Sequence, residues 1–141
     1  MINDFKVLLI EDDDVAAESV IRSLRKVEPD IAVTWAENGQ EALDIINGRH
    51  NDKRITGPFI VLLDLNMPVM NGFEFLDHTR ASDELKDLVI FILTTSNEDT
   101  DRSKAYHHNV AGYMVKSAVG PQFAKLSGLL TAYRSAVELS G

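Results

Sequence analysis

The chain has 141 residues, a length that suits one domain with its own hydrophobic core. Its net charge of −8 and its scattered basic residues oppose binding to phosphate backbones, so we expect no nucleic-acid partner. The absence of cysteine excludes disulfides and thiolate metal sites, and no apolar run is long enough to span a membrane. The first residues lack a secretory signal pattern, so we predict a single cytoplasmic domain over residues 1–141, without an output domain or a membrane partner.

Short apolar runs rich in Val, Ile and Leu alternate with helix-length amphipathic segments along the chain. These runs predict five strands, at residues 7–10, 31–35, 60–63, 89–93 and 113–115. Strands that alternate with helices form a parallel sheet with right-handed crossovers and helices on both faces. The sequence therefore predicts an α/β fold, a flavodoxin-like doubly wound (βα)5 three-layer sandwich with parallel sheet order 2-1-3-4-5.

Five helices are predicted from apolar residues that repeat at spacings of three and four. After the first, they are expected at residues 39–49, 72–81 and 99–108, and from Pro121 onwards. The apolar positions of the first three and the last helix are Val20, Leu24, Val27, Ala42, Leu43, Ile46, Phe73, Phe75, Leu76, Phe123, Leu126, Leu130, Tyr133 and Val137.

Two further segments raise the question of partners. Residues 48–58 are polar and basic, which predicts a surface loop that is either a neutral insertion or a partner contact. The last helix has a second apolar stripe, and an amphipathic helix that is apolar on two sides needs a second partner. We therefore expect a homodimer through the C-terminal helix, with a few ordinary surface residues as the alternative. The stripe consists of Leu129, Ala132, Ala136 and Leu139.

Charged and hydroxyl side chains follow four of the five predicted strands, and functional groups of open parallel sheets lie beyond these strand ends. In chain order they are Glu11, Asp12, Asp13, Asp64, Thr94, Thr95 and Lys116. Neighbouring carboxylates raise one another's pKa values, and a divalent cation relieves that repulsion. Oxygen ligands suit Mg²⁺, whereas zinc is disfavoured without thiols or nearby histidines. A lone acid at a strand end is more often a solvated turn or a helix cap, a role open to Asp13 or Asp14.

Four segments together resemble the receiver domain of two-component response regulators. They are "LLIEDDD", "LLDLNMPVMNGFEFL", "ILTTS" and "GYMVKS", and the resemblance covers residues 5–138. Three features narrow this resemblance to a smaller group within the family. They are Thr-Thr-Ser after the fourth strand, Lys-Ser in place of Lys-Pro, and the enlarged loop before the third strand. With these features the chain is similar to the single-domain regulators that serve bacterial phytochromes.

The resemblance implies that Asp64 accepts a phosphoryl group from a sensor histidine kinase, with a bacterial phytochrome as the expected kinase. It implies that Glu11, Asp12, Asp64 and the backbone carbonyl of Asn66 hold Mg²⁺. The run of acids leaves the register of the pair open by one residue, so Asp13 is an alternative ligand. Such a domain catalyses only its own phosphorylation and dephosphorylation and is not an enzyme acting on a separate substrate.

The resemblance also assigns roles at the ends of the last two strands. It implies that Lys116 and Thr94 contact phosphoryl oxygens, and that Thr94 and Tyr113 switch the surface formed by the fourth helix, fifth strand and fifth helix. Asn66 and Ser96 occupy positions that tune the phosphoryl lifetime in the family. The family usually has a cis proline after the lysine, and Ser117 leaves that bond open, because a cis bond before a non-proline residue costs about 3–4 kcal/mol. The histidines, His50, His78, His107 and His108, are assigned no catalytic role.

Three other classes fit parts of the pattern. Phosphatases of the haloacid-dehalogenase type use a strand-end Asp with Mg²⁺, but carry a second acid where this chain has Asn66. A flavodoxin-like cofactor binder needs a Ser/Thr/Gly-rich phosphate cradle after the first strand, where "EDDD" would repel phosphate. A pseudo-receiver would keep the fold as a binding module that never takes phosphate.

Overall fold

The computed structural model describes residues 6–67, 70–95 and 98–116. Five strands and four helices alternate over these residues. None of the four helices has the length and apolar character of a membrane-spanning segment. The elements are β1 (Lys6–Ile10), α1 (Asp14–Val27), β2 (Ala32–Ala36), α2 (Gly39–Ile46), β3 (Phe59–Leu63), α3 (Gly72–Arg80), β4 (Val89–Thr94), α4 (Asp99–His107) and β5 (Gly112–Val115). Each predicted strand end lies within one residue of the observed end. The predicted fifth helix with its dimer stripe, and also Ser96 and Ser117, lie outside the described residues.

All strand pairs are parallel, and the sheet order is β2-β1-β3-β4-β5, which confirms the predicted topology. β1 lies between β2 and β3, with Ile10 opposite both Ala36 and Leu63. The carboxyl ends of these three strands therefore stop at one level. At the other side of the sheet, Thr94 of β4 lies opposite Val115 of β5.

The hydrophobic core lies on both faces of the sheet. Leu8 and Ile10 of β1 belong to a cluster with residues of α2 and α3, while Val7 and Leu9 belong to a second cluster with residues of α1. In β1 and in β3, four of the five residues are buried. Strands buried on both faces must be apolar at every position, which explains their uninterrupted hydrophobic sequences.

In α2 the fully buried isoleucine differs from the expected one, and in α3 one of the expected residues is less buried than the others. In α2, Ile45 is fully buried and Ile46 only partly, and in α3, Phe75 is fully buried while Phe73 is only partly buried. The structure confirms the other predictions of burial that can be checked in these helices. The confirmed residues are Val20 and Leu24 in α1, Ala42 and Leu43 in α2, and Leu76 in α3. Successive helix residues point in directions about 100° apart, and packing against the sheet decides which of two neighbouring apolar positions is fully buried.

Polar side chains begin three of the four described helices. Asp13 accepts a hydrogen bond from the amide of Val15 at 3.0 Å and caps α1. Asn38 caps α2, and Asn71 caps α3 in a reciprocal capping box with Glu74. Such caps stabilise a helix by about 1 kcal/mol each, and each one fixes where its helix begins beside a strand end.

The loop at residues 48–58 is exposed over much of its length but is anchored to the body of the protein. Ile55 is buried in the core cluster beneath α2 and α3. The Lys6 ammonium donates to the carbonyl of Thr56 at 2.5 Å, and the Lys53 ammonium donates to the carbonyl of Trp35 at 2.6 Å. The loop is therefore fixed at several points along the sheet.

Arg80, the last residue of α3, binds the two loops that lead into β4 and β5. Its guanidinium donates to four backbone carbonyls at 2.7 to 3.1 Å. The acceptors are Lys86, Leu88, His108 and Asn109. Carbonyls at chain turns need such donors because no ladder or helix partner is available to them.

We expect Arg80→Met, which keeps the apolar stem and removes every donor, to lower the free energy of unfolding by about 2–4 kcal/mol. The matched change Arg22→Met on the exposed surface of α1 should alter it by less than about 0.5 kcal/mol. Urea denaturation of both variants and the wild type measures the difference. Equal stability of the two variants would contradict the role given to Arg80.

Candidate functional site

The sheet ladder continues one residue beyond β1 and β3, and it fixes two acidic residues. The amide of Asp64 donates to the carbonyl of Ile10, and the amide of Glu11 donates to the carbonyl of Ala36, both at 3.0 Å. Because β1 and β3 are neighbours in register, the two carboxylates emerge at the same edge of the sheet. Rigid backbone, not a flexible loop, therefore brings these like charges together.

The carboxylates of Glu11, Asp12 and Asp64 form one cluster, with an oxygen of each within 4.8 Å of the others. Glu11 and Asp64 are 2% and 6% exposed, whereas Asp12 is open to solvent. Across the part of the chain that the structure describes, no other group of three or more histidine or acidic side chains has such spacing. The cluster is thus a half-buried site with one open side.

Lys116, directly after β5, closes the cluster. Its ammonium lies 2.5 Å from Oε1 of Glu11 and 3.9 Å from Oδ2 of Asp64, and its side chain is 15% exposed. The lysine therefore pairs mainly with Glu11 and only loosely with Asp64. One cation among three carboxylates leaves excess negative charge in the site.

Two further residues of the acidic segments are placed differently. The Asp13 carboxylate caps α1, and it is not part of the cluster around Asp64. The amide of Asn66 donates to Oδ1 of Asp64 at 3.3 Å, which orients that carboxylate. The structure thus brings Glu11 and Asp12, rather than Asp13, to Asp64.

The start of α3 lies against the backbone that carries Asp64. The amide of Gly72 donates to the carbonyl of Leu65 at 3.0 Å. A Cβ on Gly72 would lie only 2.6 Å from the carbonyl oxygen of Asp64 and from the Cα of Leu65. Glycine is required here because the two backbone segments are in direct contact.

Thr94 and Tyr113 lie on the neighbouring strands β4 and β5. Thr94 is fully buried at the end of β4, and Tyr113 is partly buried against the core. The guanidinium of Arg102 lies 5.1 Å from the centre of the Tyr113 ring. The aromatic side chain thus connects the sheet with α4 beside the strand end that carries Thr94.

The sequence model of the response regulator receiver domain family matches residues 7–125 of this chain. The chain belongs to the receiver-domain family. It is 32% identical over 112 residues to the probable methanogenesis regulatory protein FilR2 of Methanothrix harundinacea, which covers 79% of this chain and 72% of the relative. It spans only 47% of the length of two further curated relatives, so their full activities do not transfer to this domain.

Solved structures agree with the family. The phosphorylated cyanobacterial phytochrome response regulator RcpA superimposes with a TM-score of 0.83 at 26% identity, covering 96% of this chain and 98% of that one. The Mn²⁺-bound form of response regulator Rcp1 gives 0.81 at 26% identity, covering 96% and 99%. Receiver domains are signalling modules that bind Mg²⁺ or Mn²⁺ at an acidic cluster. The family match favours this class over the haloacid-dehalogenase and flavodoxin alternatives.

The donor set of this receiver domain fits such a cation. Every side-chain donor in the cluster is a carboxylate oxygen, the ligand type that Mg²⁺ and Mn²⁺ prefer. The exposed position of Asp12 leaves an open side for retained water. Excess negative charge gives a divalent ion a clear electrostatic advantage over a monovalent one.

Sequence reasoning missed Trp35, which touches the site of this receiver domain from β2. Its indole Nε1 donates to the carbonyl of Glu11 at 2.7 Å. A tryptophan in a predicted strand reads as core or edge packing, so the sequence carries no signal for this contact. The contact depends on the rotamer of the side chain and on the end of β2.

Burial raises the pKa of Glu11 from its ordinary value of 4.5 to about 7. The hydrogen bond from Lys116 lowers this pKa and the Asp64 carboxylate raises it, so that burial remains the dominant cause. In the metal-free protein near neutral pH, Glu11 therefore carries its proton in a large fraction of molecules. A bound cation would have to displace that proton.

We expect the free energy of unfolding of the metal-free protein to fall as pH rises from about 4.5 to about 7. In that window the folded chain keeps the Glu11 proton and the unfolded chain loses it, so the folded state binds more protons. Glu11→Gln should flatten the slope because its amide does not titrate, while Glu18→Gln on exposed α1 should keep it. Urea unfolding in EDTA across this range measures both, and an unchanged slope in Glu11→Gln would refute the assignment.

We expect Gly72→Ala to lower the free energy of unfolding by about 2–3 kcal/mol, because the methyl group meets the backbone of Asp64 and Leu65. Gly39→Ala is the control, since two of its three nearest atoms belong to the movable side chain of Met70. Its loss should be smaller. Chemical denaturation compares the two, and a larger loss in Gly39→Ala would reverse the argument.

Proposed function

We propose that this receiver domain accepts a phosphoryl group on Asp64 from the phosphohistidine of a sensor histidine kinase, in a reaction that requires Mg²⁺. The observation that carries the proposal is the convergence of three carboxylates and one ammonium from three strand ends. Oxygens of Glu11, Asp12 and Asp64 lie within 4.8 Å of one another, and Lys116 lies beside them. A set of like charges this close, partly buried, has no structural benefit to the fold.

The proposed chemistry is a single phosphoryl transfer. An Asp64 carboxylate oxygen forms a bond to phosphorus, the phosphorus–nitrogen bond of the donor breaks, and its electron pair stays on the imidazole nitrogen. The product is an aspartyl phosphate. The protein contributes position and charge neutralisation rather than further covalent steps. A bound Mg²⁺ would supply positive charge where the carboxylate and the phosphoryl oxygens meet.

Glu11, Asp12, Asp64 and the backbone carbonyl of Asn66 would hold the ion. The amide of Asn66 already orients the Asp64 carboxylate, which supports its position in this set. Lys116 would exchange its contact with Glu11 for a phosphoryl oxygen, because Glu11 then faces the metal. Its present distance of 3.9 Å from Asp64 Oδ2 places the ammonium within reach of that point.

The proposed output is a change of surface around α4 and β5. The hydroxyl of Thr94 would donate to a phosphoryl oxygen, and Tyr113 would move into the space that Thr94 leaves. Phosphorylation adds negative charge and three acceptor oxygens, which is enough to bias two packings of this region. A partner senses the change only if it binds one of the two packings more tightly. Asn66 and Ser96 are the proposed residues that tune the phosphoryl lifetime.

A phytochrome-type histidine kinase is the proposed phosphoryl donor, which requires a cytoplasmic location. Support comes from the similarity to structures of phytochrome response regulators, such as RcpA, at TM-scores up to 0.83. A bacteriophytochrome response regulator, RtBRR, also matches 96% of this chain at 28% identity. The homodimer through the C-terminal stripe remains a proposal from the sequence.

We expect Asp64→Asn to abolish labelling by acetyl phosphate and Mg²⁺, because the amide is not a nucleophile toward phosphorus. Intact-protein mass spectrometry reads the result as the gain of one phosphoryl group. EDTA should abolish labelling of the wild type in the same way.

Asp13→Asn is the matched control, since asparagine also caps helices and the Asp13 carboxylate lies outside the cluster. It should label like the wild type. Labelling of Asp64→Asn to the wild-type extent would disprove the acceptor assignment. A wild-type protein that never labels would instead indicate a pseudo-receiver.

A further inference from the structure

The side chain of Trp35 provides a hydrogen bond to the Glu11 backbone where main-chain pairing between β1 and β2 ends. β2 ends at Ala36, whose carbonyl accepts the amide of Glu11 at 3.0 Å. The carbonyl of Glu11 instead accepts the indole N–H of Trp35 at 2.7 Å. Both backbone polar groups of Glu11 are thus held by β2, one through its main chain and one through a side chain.

The carbonyl of Glu11 belongs to the planar peptide unit that joins Glu11 to Asp12. Holding its oxygen fixes the rotation of that plane, and the plane sets the directions in which both carboxylates leave the backbone. Asp12 has no place in the sheet, because the strand ends at Ile10. The indole therefore holds the backbone unit from which both acidic side chains extend, whereas Lys116 and the Asp13 amide contact the Glu11 side chain itself.

The loop at residues 48–58 holds Trp35 from the outer side. β2 is an edge strand, and the carbonyl of Trp35 points away from β1 because that of Ala36 points toward it. The Lys53 ammonium donates to this edge carbonyl at 2.6 Å and lies 5.8 Å from the centre of the indole ring. The lysine thus contacts Trp35 on both its main chain and its ring.

Lys53 is itself held by neighbours on the loop and on α2. Its ammonium lies 3.7 Å from Oε2 of Glu41, and Nε2 of His50 lies 2.9 Å from the same oxygen. Nδ1 of His50 accepts hydrogen bonds from the backbone amides of Asp52 and Lys53, both at 3.0 Å. Since Nδ1 accepts two hydrogen bonds, the ring proton is on Nε2 and is donated to Glu41. The loop is therefore ordered up to the ammonium that touches Trp35.

We propose that Trp35 is a positioning residue for the Glu11–Asp12 pair, and that the loop acts on the acidic site through Lys53. Trp35 supplies no oxygen ligand, and it acts through the Glu11–Asp12 peptide plane. The loop is then neither a neutral insertion nor, in this role, a partner contact. The inference rests on the proposed function, because it concerns how this chain prepares its site for Mg²⁺.

Trp35→Phe tests the first part, since it keeps an aromatic ring and removes the N–H donor. Isothermal titration with Mg²⁺ alone, with no phosphoryl donor, should show a dissociation constant about threefold to tenfold higher than in the wild type. Val33→Ala on the same strand is the control. It removes apolar packing of the second core cluster and should lower stability, yet leave Mg²⁺ affinity unchanged.

Lys53→Met and Lys6→Met test the second part as a matched pair. Each removes one tie of the same loop, but only Lys53 contacts Trp35, while Lys6 holds Thr56. Lys53→Met should weaken Mg²⁺ binding and shift the emission of the chain's single tryptophan to longer wavelength. Lys6→Met should change neither measurement.

The outcomes separate the two proposals. Wild-type Mg²⁺ affinity in Trp35→Phe would overturn the positioning role, while labelling of Asp64 would still support the proposed function. An equal effect of Lys6→Met and Lys53→Met would overturn the specific role of Lys53. A wild-type protein that binds no Mg²⁺ would overturn both proposals together.

Discussion

The repulsion among the carboxylates at the edge of the sheet is the constraint on which the site depends. Two unit charges 4 Å apart interact with about 4 kcal/mol at the effective dielectric near a protein surface. A whole domain is stable by only about 5–15 kcal/mol, so a cluster of three such groups is a large burden. The fold tolerates it through a buried ion pair with Lys116 and a raised pKa at Glu11. A bound divalent cation would reverse both adjustments, so the same groups that repel one another would favour its binding.

Such repulsion would push flexible side chains apart unless the backbone resisted it. Here the resistance comes from several sides. The ladder extends to Glu11 and Asp64, Gly72 brings the start of α3 against the Asp64 backbone, and Trp35 holds the carbonyl of Glu11. Each of these contacts is made by the backbone of Glu11, Asp64 or Leu65 rather than by a carboxylate. They fix the main chain, while the carboxylates and the Lys116 ammonium respond to a ligand through their side chains.

The fold was predictable from sequence because β1 and β3 are buried on both faces and must read as apolar runs. The meeting of Glu11, Asp12 and Asp64 followed from strand order, since neighbouring parallel strands end at one edge. Finer contacts were not predictable. The preference of Lys116 for Glu11 over Asp64 depends on side-chain rotamers, and the cap role of Asp13 depends on where α1 begins.

The loop and the helices show the same limit from the other direction. A polar composition correctly placed residues 48–58 at the surface, but it concealed the anchoring by Ile55 and by two lysines. The fuller burial of Ile45 than of its neighbour Ile46, and of Phe75 than of Phe73 two positions earlier, depends on how each helix packs against the sheet. Hydrophobic spacing predicts that a helix has an apolar face, while packing against the sheet decides which residues at the edge of that face are fully buried.

α4 is held against the rest of the described structure by contacts at several points. Just after the C-terminal end of α4, the carbonyls of His108 and Asn109 accept hydrogen bonds from Arg80. Nε2 of His108 also lies 2.6 Å from Oδ1 of Asp77. At its N-terminal end, Glu98 provides no side-chain cap, and Ala105 is the one buried residue of the helix.

The cations of α4 that lie over the Phe73 and Tyr113 rings, Lys104 and Arg102, add about 0.5–1 kcal/mol each at exposed sites. By contrast, α3 is held by its capping box, by Gly72 and by Arg80. These contacts hold α3 at both of its ends. α4 contacts β5 through Arg102 and α3 through Lys104, so a displacement of Tyr113 would reach α4 directly.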